Sequence, residues 1–140
     1  MKLAEAIKEK GRLKKTVAEL REKLEKSGHG EGEENPVKLL GKLEEALRRM
    51  EYLAAAIYHT NEFIQVDGKS MTQLINTRDT MFFRLELYKD LIRQIDNADD
   101  PSSSGLSAFE LQNKADRMRE EIRSLSDLIQ ETNWTRELME

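Results

Sequence analysis

The sequence has no cysteine, which excludes disulfide staples, thiolate metal sites and a cysteine nucleophile. It has 2 prolines and 7 glycines in 140 residues, so few points interrupt regular structure. Aromatic residues make up 6%, too few for a typical compact α/β core. No apolar run approaches the ~18 residues of a transmembrane helix. The opening MKLAEAIKEK has no apolar signal-peptide core, so the expected location is cytoplasmic.

What is present is charge in regular alternation with aliphatic residues. Charged side chains are 36% and hydrophobic ones 38%, the bias of long helices and coiled coils. The expectation is one all-α domain over residues 1–140, built as a coiled-coil-like bundle of four long antiparallel helices. The apolar residues sit in narrow stripes, so association between chains is expected to supply part of the burial.

Net charge is −4 and unevenly spread. Residues 1–26 hold nine Lys/Arg against five Glu, a local +4, which leaves −8 on the remainder. A basic helix on an acidic body can face nucleic acid, an anionic membrane or acidic helices of its own protein. Glutamates interleave the lysines at pairing distances along a helix, which favours the last of these. Neither nucleic acid nor membrane is expected as a partner.

Helix 1 is predicted over about 2–26, with Leu3, Ala6, Lys10, Leu13, Val17, Leu20 and Leu24 at three- and four-residue steps. The Gly-rich acidic stretch 27–35 interrupts the pattern and is expected to be mobile. Asn35 and Pro36 then suit the cap and first position of helix 2, about 36–65. Its seam reads Leu40, Leu43, Leu47, Met50, Ala54, Ile57, Asn61 and Ile64. Asp67-Gly68 marks a tight turn, and no strands are expected. Ser70 with Gln73 forms a capping-box pattern that opens helix 3, about 71–95. Helix 3 presents Leu74, Arg78, Met81, Leu85, Tyr88, Ile92 and Ile95 on one face. A polar stretch at 96–106, also expected to be mobile, precedes a second capping box, Ser107 with Glu110. Helix 4, about 107–138, has Leu111, Ala115, Met118, Ile122, Leu125 and Ile129 as its seam.

Two polar residues interrupt these seams, Asn61 and Arg78. Antiparallel packing of helices 2 and 3 would gather Thr60, Asn61, Arg78 and Asp79 at one end, and a returning helix 4 would add Asn133 and Trp134. Asp79, Glu62 and Asp67 are the available partners for a buried Arg78. The six gathered residues form either a structural plug that fixes helix register or a pocket for a polar or anionic ligand. No catalytic residue, metal site or cofactor is predicted. His59 and Glu62 share a helix face, but His59 reads as a surface histidine. His29 with Glu31, Glu33 and Glu34 reads as a solvated acidic loop. There is no Walker loop, dinucleotide fingerprint or nucleophile elbow.

The opening MKLAEAI, Tyr58-His59-Thr60-Asn61, Asp67-Gly68, Thr72, Arg78-Asp79, the run Leu111 to Asp116 and the ending Ile129 to Leu138 together resemble the septicolysin family of small bacterial helical proteins. The likeness runs in the same order along almost the whole chain. It implies a helical, coiled-coil-rich fold and a homo-oligomer, with a hexamer among its forms. It implies no mechanism, since members are generally of unknown function. Where many relatives carry Arg before Thr-Asn, this chain has His59. Three functions follow as expectations: a non-enzymatic self-assembling protein, a membrane-active cytolysin-like protein, or a small polar-ligand binder or enzyme using the gathered polar residues.

Overall fold

A computed structural model describes residues 1–30 and 34–140. The solvated acidic loop expected of His29 with Glu31, Glu33 and Glu34 therefore lies partly outside the described residues. The fold is all-α, with four helices among the described residues: α1 (Leu3–Gly28), α2 (Pro36–Phe63), α3 (Met71–Asp96) and α4 (Ala108–Thr135). No helix among them is long and apolar enough to cross a membrane. Two compact units divide the chain, one of Met1–Ile64 with Asn133–Glu140 and one of Gln65–Thr132.

The helix starts follow their local chemistry. Asn35 Oδ1 accepts from Val37 N at 2.9 Å, with Pro36 at the first position. At α3 the capping box closes both ways. Ser70 Oγ accepts from Gln73 N at 3.1 Å, and Gln73 Oε1 accepts from Ser70 N at 2.9 Å. Ser107 Oγ accepts from Glu110 N at 3.2 Å at the start of α4. Each cap satisfies an amide that the first helical turn leaves open.

In the first unit α1 and α2 run antiparallel. Lys23 pairs with Glu34 at 3.1 Å near one end, and Glu9 pairs with Arg49 at 3.0 Å further along. The interior holds Leu3, Ala4, Ala6 and Leu20 from α1 and Leu39, Ala46, Leu53, Ala56 and Thr60 from α2. Lys10, placed on the α1 seam by spacing, is exposed.

Helix 2 corrects its expected phase. Leu40 and Leu47 are 46% and 45% exposed, while Leu39, Ala46 and Leu53 are buried. The helix carries two apolar stripes, because Leu39-Leu40 and Ala46-Leu47 each place an apolar residue on both. Side chains one position apart differ by about 100° around a helix, so α1 covers only one stripe. The polar residue at the centre of the covered stripe is Thr60, fully buried, and Asn61 sits at its edge.

The second unit opens with a structure that helical periodicity did not reveal. Gln65–Val66 (β1) pairs antiparallel with Lys69–Ser70 (β2) around Asp67-Gly68. Asp67 has φ 51° and Gly68 φ 79°, positive at both central residues as a type I′ hairpin turn requires. The absence of strands is therefore corrected: a helix-period reading overlooks two-residue strands. In the same unit Leu85 of α3 packs on Ala115, Met118 and Ile122 of α4, with Met81 and Tyr88 alongside. Leu111, Ala115, Met118, Ile122 and Ile129 are all buried, as the α4 spacing predicts.

Candidate functional site: the terminal clasp and its polar residues

The six gathered residues fall in different units. Thr60, Asn61, Asn133 and Trp134 belong to the first, Arg78 and Asp79 to the second.

In the first unit the centre of the arrangement is a segment that spacing assigned to helix 4. That helix ends at Thr135, not at 138, and residues 136–140 continue as an extended strap. Lys2 and Glu137 form an antiparallel bridge. Leu3 N donates to Arg136 O at 2.9 Å, and Leu138 N donates to Met1 O at 2.8 Å. Leu138 is buried. Thr135-Arg136-Glu137-Leu138 contains no Gly or Pro, so the stop has no local signal. Pairing with the start of α1 supplies it.

Thr60 fastens the strap from α2. Its Oγ1 donates to Ala56 O at 2.6 Å and accepts from Met139 N at 2.9 Å. With its proton given to the Ala56 carbonyl and a lone pair taken by the Met139 amide, Thr60 acts as a structural clamp, and its proton is not directed at a base that could activate it. Ion pairs add to the clasp. Lys2 Nζ lies 2.6 Å from Glu137, and the Met1 ammonium 3.4 Å. The hydrogen bond from Lys2 holds the Glu137 carboxyl below its ordinary pKa.

A chain of contacts leads on from Glu140. Tyr52 Oη donates to Glu140 Oε1 at 2.8 Å, and this bond raises the phenol above its ordinary pKa. Arg49 lies 5.4 Å from the Tyr52 ring centre and makes two hydrogen bonds to Glu9, at 3.0 and 3.1 Å. Those bonds hold the Glu9 carboxyl below its ordinary value. Sequence reasoning missed Tyr52, Glu137 and Glu140. Their partners lie 88 and about 135 positions away, beyond any helical spacing.

Trp134 is 43% exposed, and Lys8 Nζ lies 4.5 Å from its ring centre, within range of a cation–π attraction. The Oδ1 atoms of Asn61 and Asn133 are buried and accept no hydrogen bond.

In the second unit Arg78 is not the fully buried cation its seam position suggests. Its side chain is 28% exposed, and Nη2 lies 3.7 Å from Asp79 Oδ1. Asp79 is thus the partner among the three carboxylates expected, at the long end of an ion pair. A long side chain can lay its stem on the seam and reach toward water, which explains the tolerance. Arg78 Nε is buried without a partner. An apolar groove of about 490 Å³ between α3 and α4 is floored by Leu74, Met81, Leu125 and Leu128, with Lys69, Glu120 and Glu121 among its lining. None of the six predicted residues lines it. Among the described residues no group of three His, Asp or Glu could hold a metal ion. His59 is exposed, as expected of a surface histidine.

Residues 10–138 match the model of a family of unknown function, DUF6847. The chain belongs to that family. A crystal structure of a functionally unknown conserved protein from Corynebacterium diphtheriae is similar over 99% of both chains. It has a TM-score of 0.90 and 28% sequence identity. No curated protein matches.

Proposed function

We propose that this family member is a non-enzymatic, self-assembling helical protein of the septicolysin-like kind that works in the cytoplasm as a homo-oligomer. The observation that carries this reading is the second apolar stripe of α2. Val37, Leu40, Leu47, Ala54 and Tyr58 fall at heptad positions, with Glu44 and Glu51 between them. Of the large members, Tyr58 is 66% exposed and Leu40 and Leu47 nearly half. Exposed apolar residues at heptad positions, with Glu44 and Glu51 taking two places of the same repeat, are the geometry of a helix that pairs with another helix. Burying what remains exposed of Leu40 and Leu47 would contribute roughly 1 kcal/mol per side chain on each copy. The resemblance to septicolysins adds the homo-oligomer, in a closed form such as a hexamer.

Leu40→Glu with Leu47→Glu tests the stripe. Neither residue belongs to the buried interior, so the helices should form normally while the mass by light scattering falls to that of one chain. A mass unchanged from the parent protein would remove the stripe as the interface.

One observation favours a second reading, a small polar-ligand site: the unpartnered Oδ1 atoms of Asn61 and Asn133. Unmet buried acceptors suit a ligand carrying N–H donors. Nuclear magnetic resonance of the two side-chain amides during titration with simple ammonium and amide compounds tests it. No response from either amide would count against the site.

A further inference from the structure

The first half of α1 carries cations that the protein leaves unneutralised. Lys8, Lys10, Arg12, Lys14 and Lys15 are all exposed and make no ion pair among the described residues. Of the two acids in that half, Glu9 is held by Arg49 of α2, and Glu5 accepts from the Lys2 amide at the start of the helix. The second half of the helix is different. There Arg21 pairs with Glu25, Lys23 with Glu34 and Lys26 with Glu22. Lys8, Arg12 and Lys15 fall at i, i+4 and i+7, one outward face, turned away from Leu13, Val17 and Leu20. Ile7 is exposed on the same helix. The half-exposed indole of Trp134 sits beneath Lys8, and it is the single tryptophan in the sequence.

We propose that this face of α1, with Trp134, docks the protein on an anionic phospholipid surface. The charge is concentrated over two helical turns and makes no ion pair among the described residues, although Lys8 rests on the Trp134 ring and Arg12 acts on Glu9 through space. Lysine stems can lie along a headgroup layer while their amines meet phosphate and carboxylate groups. Tryptophan, with an apolar ring and one N–H, suits the boundary between headgroups and acyl chains. A nucleic acid would call for an open ring to stack on, and here Lys8 covers one face of the indole. The docking is peripheral and needs no rearrangement of the helices. It is separate from the α2 stripe proposed for self-assembly.

Each basic side chain near an anionic surface strengthens attachment roughly fivefold. The triple variant Lys8→Gln/Arg12→Gln/Lys15→Gln should therefore weaken it by about two orders of magnitude. The full chain is sedimented with vesicles of phosphatidylcholine alone, or of phosphatidylcholine with phosphatidylserine, at low and high salt. The parent protein should pellet with the serine-containing vesicles at low salt only, and Trp134 emission should move to the blue as it does so. A control triple, Arg84→Gln/Lys114→Gln/Arg117→Gln, removes the same charge from the other unit and should bind within a few-fold of the parent. Circular dichroism verifies that both triples keep their helices. Three results would overturn the proposal: no pelleting of the parent with anionic vesicles, equal losses in the two triples, or a Trp134 shift with a DNA oligonucleotide and none with vesicles.

Discussion

Replacing Thr60 with valine keeps the shape of a fully buried side chain and deletes its oxygen. The methyl groups still fill the site, so no cavity opens. Ala56 O loses an extra donor yet keeps its place in the helix. The cost falls on Met139, whose amide donates to Thr60 Oγ1 at 2.9 Å in a partly buried setting. An amide left without its acceptor there costs about 1–2 kcal/mol. That penalty acts on opening of the strap, so the Met139 amide should exchange with solvent about 5- to 30-fold faster. Thr60→Ser keeps the oxygen and should leave Met139 exchange within about twofold of the parent, although its lost methyl lowers global stability by roughly 1 kcal/mol. Residue-resolved hydrogen exchange separates the two. Equal exchange in parent and valine variant, or equal acceleration in serine and valine, would refute the clamp.

Acid should loosen the same strap. Glu137 has a depressed carboxyl pKa in the folded protein because Lys2 donates to it. Its contribution is present above the unfolded carboxylate value and is lost as pH falls through the folded one. Protection of Leu138 and Met139 should fall across that acidic window, and Glu137→Gln should flatten the dependence. Gly68→Ala should destabilise by about 1 kcal/mol, because φ 79° is a left-handed conformation at the hairpin turn; a urea titration measures it. Gly11 sits inside α1 with open space where a Cβ would go. Gly11→Ala should therefore raise stability by about 1 kcal/mol in thermal melting, and a loss would show a crowding the fold does not display.

The helices were legible in the sequence wherever one stripe stood alone. Leu111, Ala115, Met118, Ile122 and Ile129 define a single face of α4, and that face is buried. Asn35-Pro36 and Ser70 with Gln73 were legible because a cap is local chemistry. Helix 2 was ambiguous because its two stripes touch, and the choice between Leu39 and Leu40 belongs to α1, not to α2. The strap was illegible for a related reason. No Gly or Pro marks a stop before Leu138, and the distant pairing of Lys2 with Glu137 supplies it.

The polar residues divide in the same way. Thr60 adjoins the expected seam position 61, and the one-residue change of phase makes it the clamp. Asn133 and Trp134 were grouped by the return of α4, and the first unit does carry them, at the entrance to the strap. The seam position of Arg78 suggests a buried cation, and its side chain is partly exposed. Position along a stripe does not say how far a long side chain extends past it.

Self-assembly through the α2 stripe is the central claim. Light scattering of the unaltered chain over a dilution series at micromolar concentrations tests it most directly. The account predicts a mass of at least twice 16.2 kDa, a whole multiple of it, that holds on dilution. A mass of 16.2 kDa throughout would contradict it.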